Sequence, residues 1–117
     1  MSDLKRFKTN KRMSQAVVHV NTVYTAGQVA MNAGGESVTR QTEEILAEID
    51  TLLADAGTDK SKLISATIWL SNMDDFAEMN EVWDAWVVPG ETPARACVES
   101  KLAAPQFTVE IQVIAAI

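Results

Sequence analysis

Two side chains carry the chemistry most open to a small molecule, and both fall in runs that read as β-strand. Alternation along Ala94 to Glu99 puts Arg95, Cys97 and Glu99 on one face and Ala94, Ala96 and Val98 on the other. A guanidinium forks two parallel hydrogen bonds onto a carboxylate, a fit that lysine does not reproduce. Arg95 is therefore a candidate anion-binding residue; an ion pair with Glu99 or Glu110 is the structural alternative. Glu110 stands in the otherwise apolar run from Thr108 to Ala116. An unpaired carboxylate is costly there, and desolvation lifts its pKa toward neutrality, where it exchanges protons with water. The alternative is a rim glutamate paired to a cation.

Three further residues attend this pair. Cys97 suggests a nucleophile, but a thiolate needs an activating base and the one histidine, His19, lies in a distant hairpin. A free cysteine is more often a small buried hydrophobe. Asn80 falls one helical turn beyond Phe76 and one before Trp83, on the apolar side of its segment, where an amide wants partners. It suits a site role or a structural bond to a loop equally. Gly27 follows a strand and lets backbone or ligand approach closely, a weak signal in a lone glycine. A single histidine excludes the usual histidine-rich metal sites. Gly34-Gly35 lacks the spacing and the lysine of a phosphate-cradling loop.

The elements that must position these residues follow from periodicity. Ala16 to Val20 and Thr22 to Ala26 form a hairpin meeting at Asn21, with a short strand around Leu4 to Phe7 before them. Asn32 to Gly35 is a turn. From Ser37 to Ala56, Ile45, Leu46, Ile49, Leu52, Leu53 and Ala56 recur at three and four, an amphipathic helix stopped by Gly57. Leu63 to Leu70 is a strand, with Ile64, Ala66, Ile68 and Leu70 assigned to one face. A second helix, capped by Asn72 or Asp74, runs to about Val87 with Phe76, Met79, Trp83 and Trp86 along one side. Pro89-Gly90 ends it, and strands Ala94 to Glu99 and Thr108 to Ala116 complete the chain. This order predicts one α+β domain over residues 1–117, a mixed sheet with both helices on one face. Val109, Ile111 and Val113 alternate with Glu110, Gln112 and Ile114, so neither face of the last strand is polar throughout. The second sheet face is thus expected to bury against another subunit.

Composition narrows the class. The 117 residues are 47 % hydrophobic, enough for one core without staples. One cysteine permits no intrachain disulfide, and the polar start and the lack of a long apolar run point to a soluble, cytoplasmic protein without a membrane role. The net charge is −6, yet five of the ten cations are Lys5, Arg6, Lys8, Lys11 and Arg12, leaving five cations against fifteen acids beyond them. So acidic a body repels phosphates and argues against a nucleic-acid partner.

Four stretches taken together resemble the reactive intermediate deaminase (Rid, or YjgF) family. They are Ser14-Gln-Ala-Val-Val, Tyr24-Thr-Ala-Gly-Gln-Val29, Asp75-Phe-Ala-Glu-Met-Asn80, and Thr92-Pro-Ala-Arg-Ala-Cys-Val-Glu99 followed by Val109-Glu-Ile-Gln-Val-Ile-Ala115. The resemblance implies a chorismate-mutase-like fold and a homotrimer with active sites between subunits; no cofactor is expected. It implies hydrolysis of reactive 2-imino or enamino acids to 2-oxo acids and ammonia. By the same resemblance Arg95 binds the substrate carboxylate and Glu110 positions the hydrolytic water. Cys97 and Gly27 line the pocket with Asn80, and Met13 borders it. Met13 and Ala26 stand where many deaminating members have tyrosine and serine, so two pocket hydroxyls are missing. A non-catalytic trimer that binds small carboxylates is the alternative. Ribonuclease activity, also attached to the family, fits poorly with the acidic body.

Overall fold

The computed structural model describes residues 3–117. Three short strands open the chain: β1 (Lys5–Phe7), β2 (Ala16–His19) and β3 (Thr22–Thr25). Helix α1 (Val38–Asp55), strand β4 (Leu63–Leu70), helix α2 (Phe76–Trp86) and strands β5 (Ala94–Glu99) and β6 (Val109–Ala116) follow. The six strands form one mixed sheet in the order β1-β2-β3-β6-β4-β5. Only β4 and β5 run parallel; α2 supplies the crossover that a parallel pair needs.

α1 starts where Ser37 accepts a hydrogen bond from the Arg40 amide, an N-cap that satisfies one orphan donor. Its inner stripe, Ile45, Leu46, Ile49, Leu52 and Leu53, is buried. Met79 and Trp83 of α2 join the same core, which is completed by Val23, Ala66, Ile68, Leu70, Val109, Ile111, Val113 and Ala115 from the sheet. Both helices therefore cover one sheet face. The predicted α+β domain and its mixed sheet are present, with strand ends shifted by about one residue.

One predicted face assignment fails. Ile64 is 49 % exposed, while Leu63 at 8 % takes the core position. Leu63 pairs with Ala115 and Ser65 with Ile114, so Ile64 is an extra residue, a β-bulge. The bulge resets the two-residue alternation, returning Ala66, Ile68 and Leu70 to the core side.

Gln41 governs where β6 begins. Fully buried, its amide donates to the carbonyls of Glu36 and Gln106, and its oxygen accepts from the Thr108 amide. A buried amide satisfied on both ends ties α1 to the segment that delivers Val109 and Glu110.

Candidate active site

α2 presents Phe76, Asn80 and Trp83 on one side, and β5 brings Arg95 against them. Nη1 of Arg95 donates to Oδ1 of Asn80 at 2.8 Å. The guanidinium carbon lies 5.8 Å from the Phe76 ring centre and 5.5 Å from that of Trp83. Neither expected carboxylate pairs with it. Glu99 instead accepts from the Met73 amide at 3.0 Å, and the ion pairs among the described residues all lie elsewhere. Cys97, two residues along the strand, packs half-buried against the core. Burial pushes its thiol above the ordinary range although Arg95 pulls the other way, so it stays protonated at neutral pH.

Glu110 and Gly27 form a second cluster. A Cβ on Gly27 would lie 2.0 Å from Oε2 of Glu110 and 2.9 Å from its Cδ, so the carboxylate fills the space that glycine leaves. Gln28 locks this contact by exchanging backbone hydrogen bonds with Ile111 at 2.8 and 3.1 Å. Its side chain is 7 % exposed and donates to Oε1 of Gln15 and to the carbonyl of Ala26. Burial alone holds the Glu110 carboxyl above the usual carboxylate range.

The two clusters lie on opposite faces of the sheet. Ile68 pairs with both Cys97 and Ile111, which places Arg95, Cys97 and Glu99 on the helix side with the core. Trp69 pairs with both Val98 and Glu110, which places Glu110 on the bare side. Within one chain, then, Arg95 gathers Asn80, and Glu110 gathers Gly27, but the halves do not meet. Met13 joins neither by a hydrogen bond. It is 41 % exposed in the loop before β2, its backbone tied to Asn10.

Sequence reasoning did not assign Phe76 and Trp83 to the arginine, nor Gln41 and Gln28 to the positioning of Glu110. The first pair was detectable as residues sharing the Asn80 face of a helix. The glutamines carried no signal of this role, because the bonds that tie them to β6 reach distant segments, from Gln41 to Gln106 and from Gln28 to Ile111. Among the described residues no group of three or more His, Cys, Asp or Glu side chains is placed to hold a metal. No helix among them is long and apolar enough to cross a membrane.

The sheet order and helix placement define an α+β domain of the YjgF architecture. A solved YjgF-family structure from Neisseria meningitidis superposes with a TM-score of 0.94 at 47 % identity, covering 97 % of this chain and 94 % of that one. A Rid-family protein of unknown function from Yersinia pestis superposes at 0.85 with 30 % identity, over 93 % and 90 % of the two chains. In sequence, the RutC family protein YoaB of Escherichia coli is 42 % identical over 112 residues, 96 % of each chain. A RutC family protein of Haemophilus ducreyi is 41 % identical over 114 residues, 97 % of each. Residues 4–117 match the family model described as Endoribonuclease L-PSP. The chain belongs to this family, named Rid, YjgF or RutC among its members.

Proposed function

We propose that this protein is a 2-iminoalkanoate/enamine deaminase that hydrolyses reactive imino acids to 2-oxo acids and ammonia. The observation that carries the reading is Arg95, an exposed guanidinium held by a neutral amide and two rings with no carboxylate beside it. A cation so held stands ready for an external carboxylate. Glu110 supplies the proton chemistry. Water adds to the imine carbon, forming a C–O bond, while the Glu110 carboxylate accepts a proton from it. The nitrogen takes that proton as the C=N π bond opens, giving a carbinolamine. Its hydroxyl then yields its proton through Glu110 to the nitrogen, so that the C=O bond forms as the C–N bond breaks and ammonia leaves. A carboxyl whose pKa burial raises holds a proton more readily than an ordinary carboxylate, which suits it to take one from water and return it. The protonated Cys97 has no part in the bond changes.

Because Arg95 and Glu110 lie on opposite faces, one substrate meets both only if two copies of the chain share a site. A homotrimer with active sites between subunits, as the family resemblance implies, fits this division. So do the exposed Tyr24 and Val98 on the bare face. Surface hollows of about 370 and 270 Å³ in the single chain are lined by other residues.

The test generates an imino acid in situ with an amino-acid oxidase and follows trapping by semicarbazide. The protein should divert imine to 2-oxo acid faster than spontaneous hydrolysis does. Arg95→Lys should lose about 2–5 kcal/mol of transition-state stabilisation in kcat/KM with an unchanged Tm, because a point charge replaces a fork. Unchanged kinetics would return Arg95 to a structural role. A second reading, a non-catalytic trimer that binds small carboxylates, is favoured by Met13 and Ala26 standing where hydroxyls are expected; it predicts 2-oxo acid binding without turnover. The family model's description names an endoribonuclease, but the charge of this chain opposes RNA, and purified protein is expected to leave RNA intact.

A further inference from the structure

Phe76, Asn80 and Trp83 stand at successive turns of α2, so their side chains rise as one row beside β5. Trp83 is 4 % exposed and anchored in the core, whereas Phe76 is 36 % exposed at the rim. Both rings lie within cation–π reach of the Arg95 guanidinium, at 5.5 and 5.8 Å. Asn80 takes one hydrogen of Nη1 at 2.8 Å.

We propose that Phe76, Asn80 and Trp83 are positioning residues, a clamp that fixes the Arg95 guanidinium with one edge presented to a planar carboxylate. The proposal rests on the carboxylate-binding reading above and adds what sets the geometry of that binding. An unrestrained arginine spreads over many rotamers, and an anion must freeze them on binding. The rings and the amide do the freezing beforehand, which is preorganisation. With one Nη1 hydrogen held by Asn80, the hydrogens on Nε and Nη2 still form a parallel pair, and that pair matches the two oxygens of a carboxylate. Asn80 suits the tether because its oxygen accepts a hydrogen bond without carrying charge. An aspartate there would neutralise the cation and compete with the ligand.

The test uses the full chain in four forms: wild type, Phe76→Leu, Phe76→Tyr and Asn80→Asp. Two readouts are taken, the affinity for 2-oxobutanoate by calorimetry and the order of the Arg95 Nε–H group by ¹⁵N relaxation without ligand. Phe76→Leu should weaken 2-oxobutanoate roughly tenfold and raise KM with little change in kcat. It should also loosen Arg95 while Tm holds. Restoring a ring with Phe76→Tyr should restore both readouts. Asn80→Asp should keep Arg95 ordered yet weaken the ligand further. The clamp is overturned if Arg95 is as mobile in wild type as in Phe76→Leu, or if wild type binds 2-oxobutanoate and Phe76→Leu binds it equally well. Failure of the underlying reading looks different: an ordered Arg95 that Phe76→Leu loosens, in a wild-type protein that binds no 2-oxo acid. That result would overturn the carboxylate as ligand while leaving the mechanical clamp in place.

Discussion

At the scale of single residues, Gly27 is where backbone and chemistry meet. The carboxylate of Glu110 occupies the volume a side chain would need, so Gly27→Ala must turn it out of place. The displaced group is the flexible end of a side chain, so the fold should survive with a small change in Tm. Imine hydrolysis should drop by at least about tenfold, since a general base works only within hydrogen-bond reach. A crystal structure of the variant with Glu110 unmoved would remove the explanation. Glu110 also makes stability depend on pH. Its folded pKa lies above the ordinary 4.5, so its contribution is fully present below 4.5 and is lost as pH rises through the folded value. Glu110→Gln stays neutral throughout. Relative to wild type it should gain in Tm as pH rises above 4.5, and parallel melting curves through that rise would show instead that an opposite charge meets the carboxylate.

At the scale of elements, local rules and long-range ties divide the work. The β2–β3 hairpin turns through Val20 and Asn21, with His19 paired to Thr22. Val20 takes a φ of 57°, a left-handed conformation that a β-branched residue resists, and its side chain is 65 % exposed. Glycine is the usual occupant of the first central position when only that residue has a positive φ. Val20→Gly should therefore stabilise the chain by about 1 kcal/mol. An increase in the urea midpoint at constant slope would show it; a decrease would mean that Val20 makes contacts outweighing the strain. The same scale holds the Gln41 tie and the Ile64 bulge, which set where β6 starts and how β4 alternates. Beyond the bulge, Trp69 pairs with Glu110, which keeps the carboxylate on the bare face.

At the scale of the whole molecule, the sheet has one covered and one bare face. Tyr24 on the bare side is 43 % exposed and Val98 47 %. A sheet apolar on both sides with helices on one needs a second cover. The wild-type protein should scatter light as a trimer at micromolar concentration. Tyr24→Lys, placing a charge on the bare face, should shift the mass toward monomer, keep the circular dichroism spectrum, and abolish imine hydrolysis. A monomeric wild type that still turns over imine would sink the shared-site reading, because one chain holds Arg95 and Glu110 apart.

Much of this was legible in the residues themselves. The three-and-four spacing of Ile45, Ile49, Leu52 and Leu53 specified α1, and the period of two in Val109, Ile111 and Val113 specified β6, because helix and strand periodicity are local consequences of backbone geometry. Arg95, Glu110, Asn80 and Gly27 were singled out by residue type, setting and resemblance, and the structure joins them as two pairs. Face and partnership were not legible. A bulge of one residue moves Ile64 from core to surface, and no local pattern announces it. That Arg95 would meet Asn80 and two aromatic rings, while Glu99 turned to the Met73 amide, depended on where the crossover helix settled above β5. Chain periodicity determines which way a side chain points within its own element. Only the packing of elements distant in sequence decides what it points at, and here it set the two candidate catalytic groups on opposite sides of one sheet.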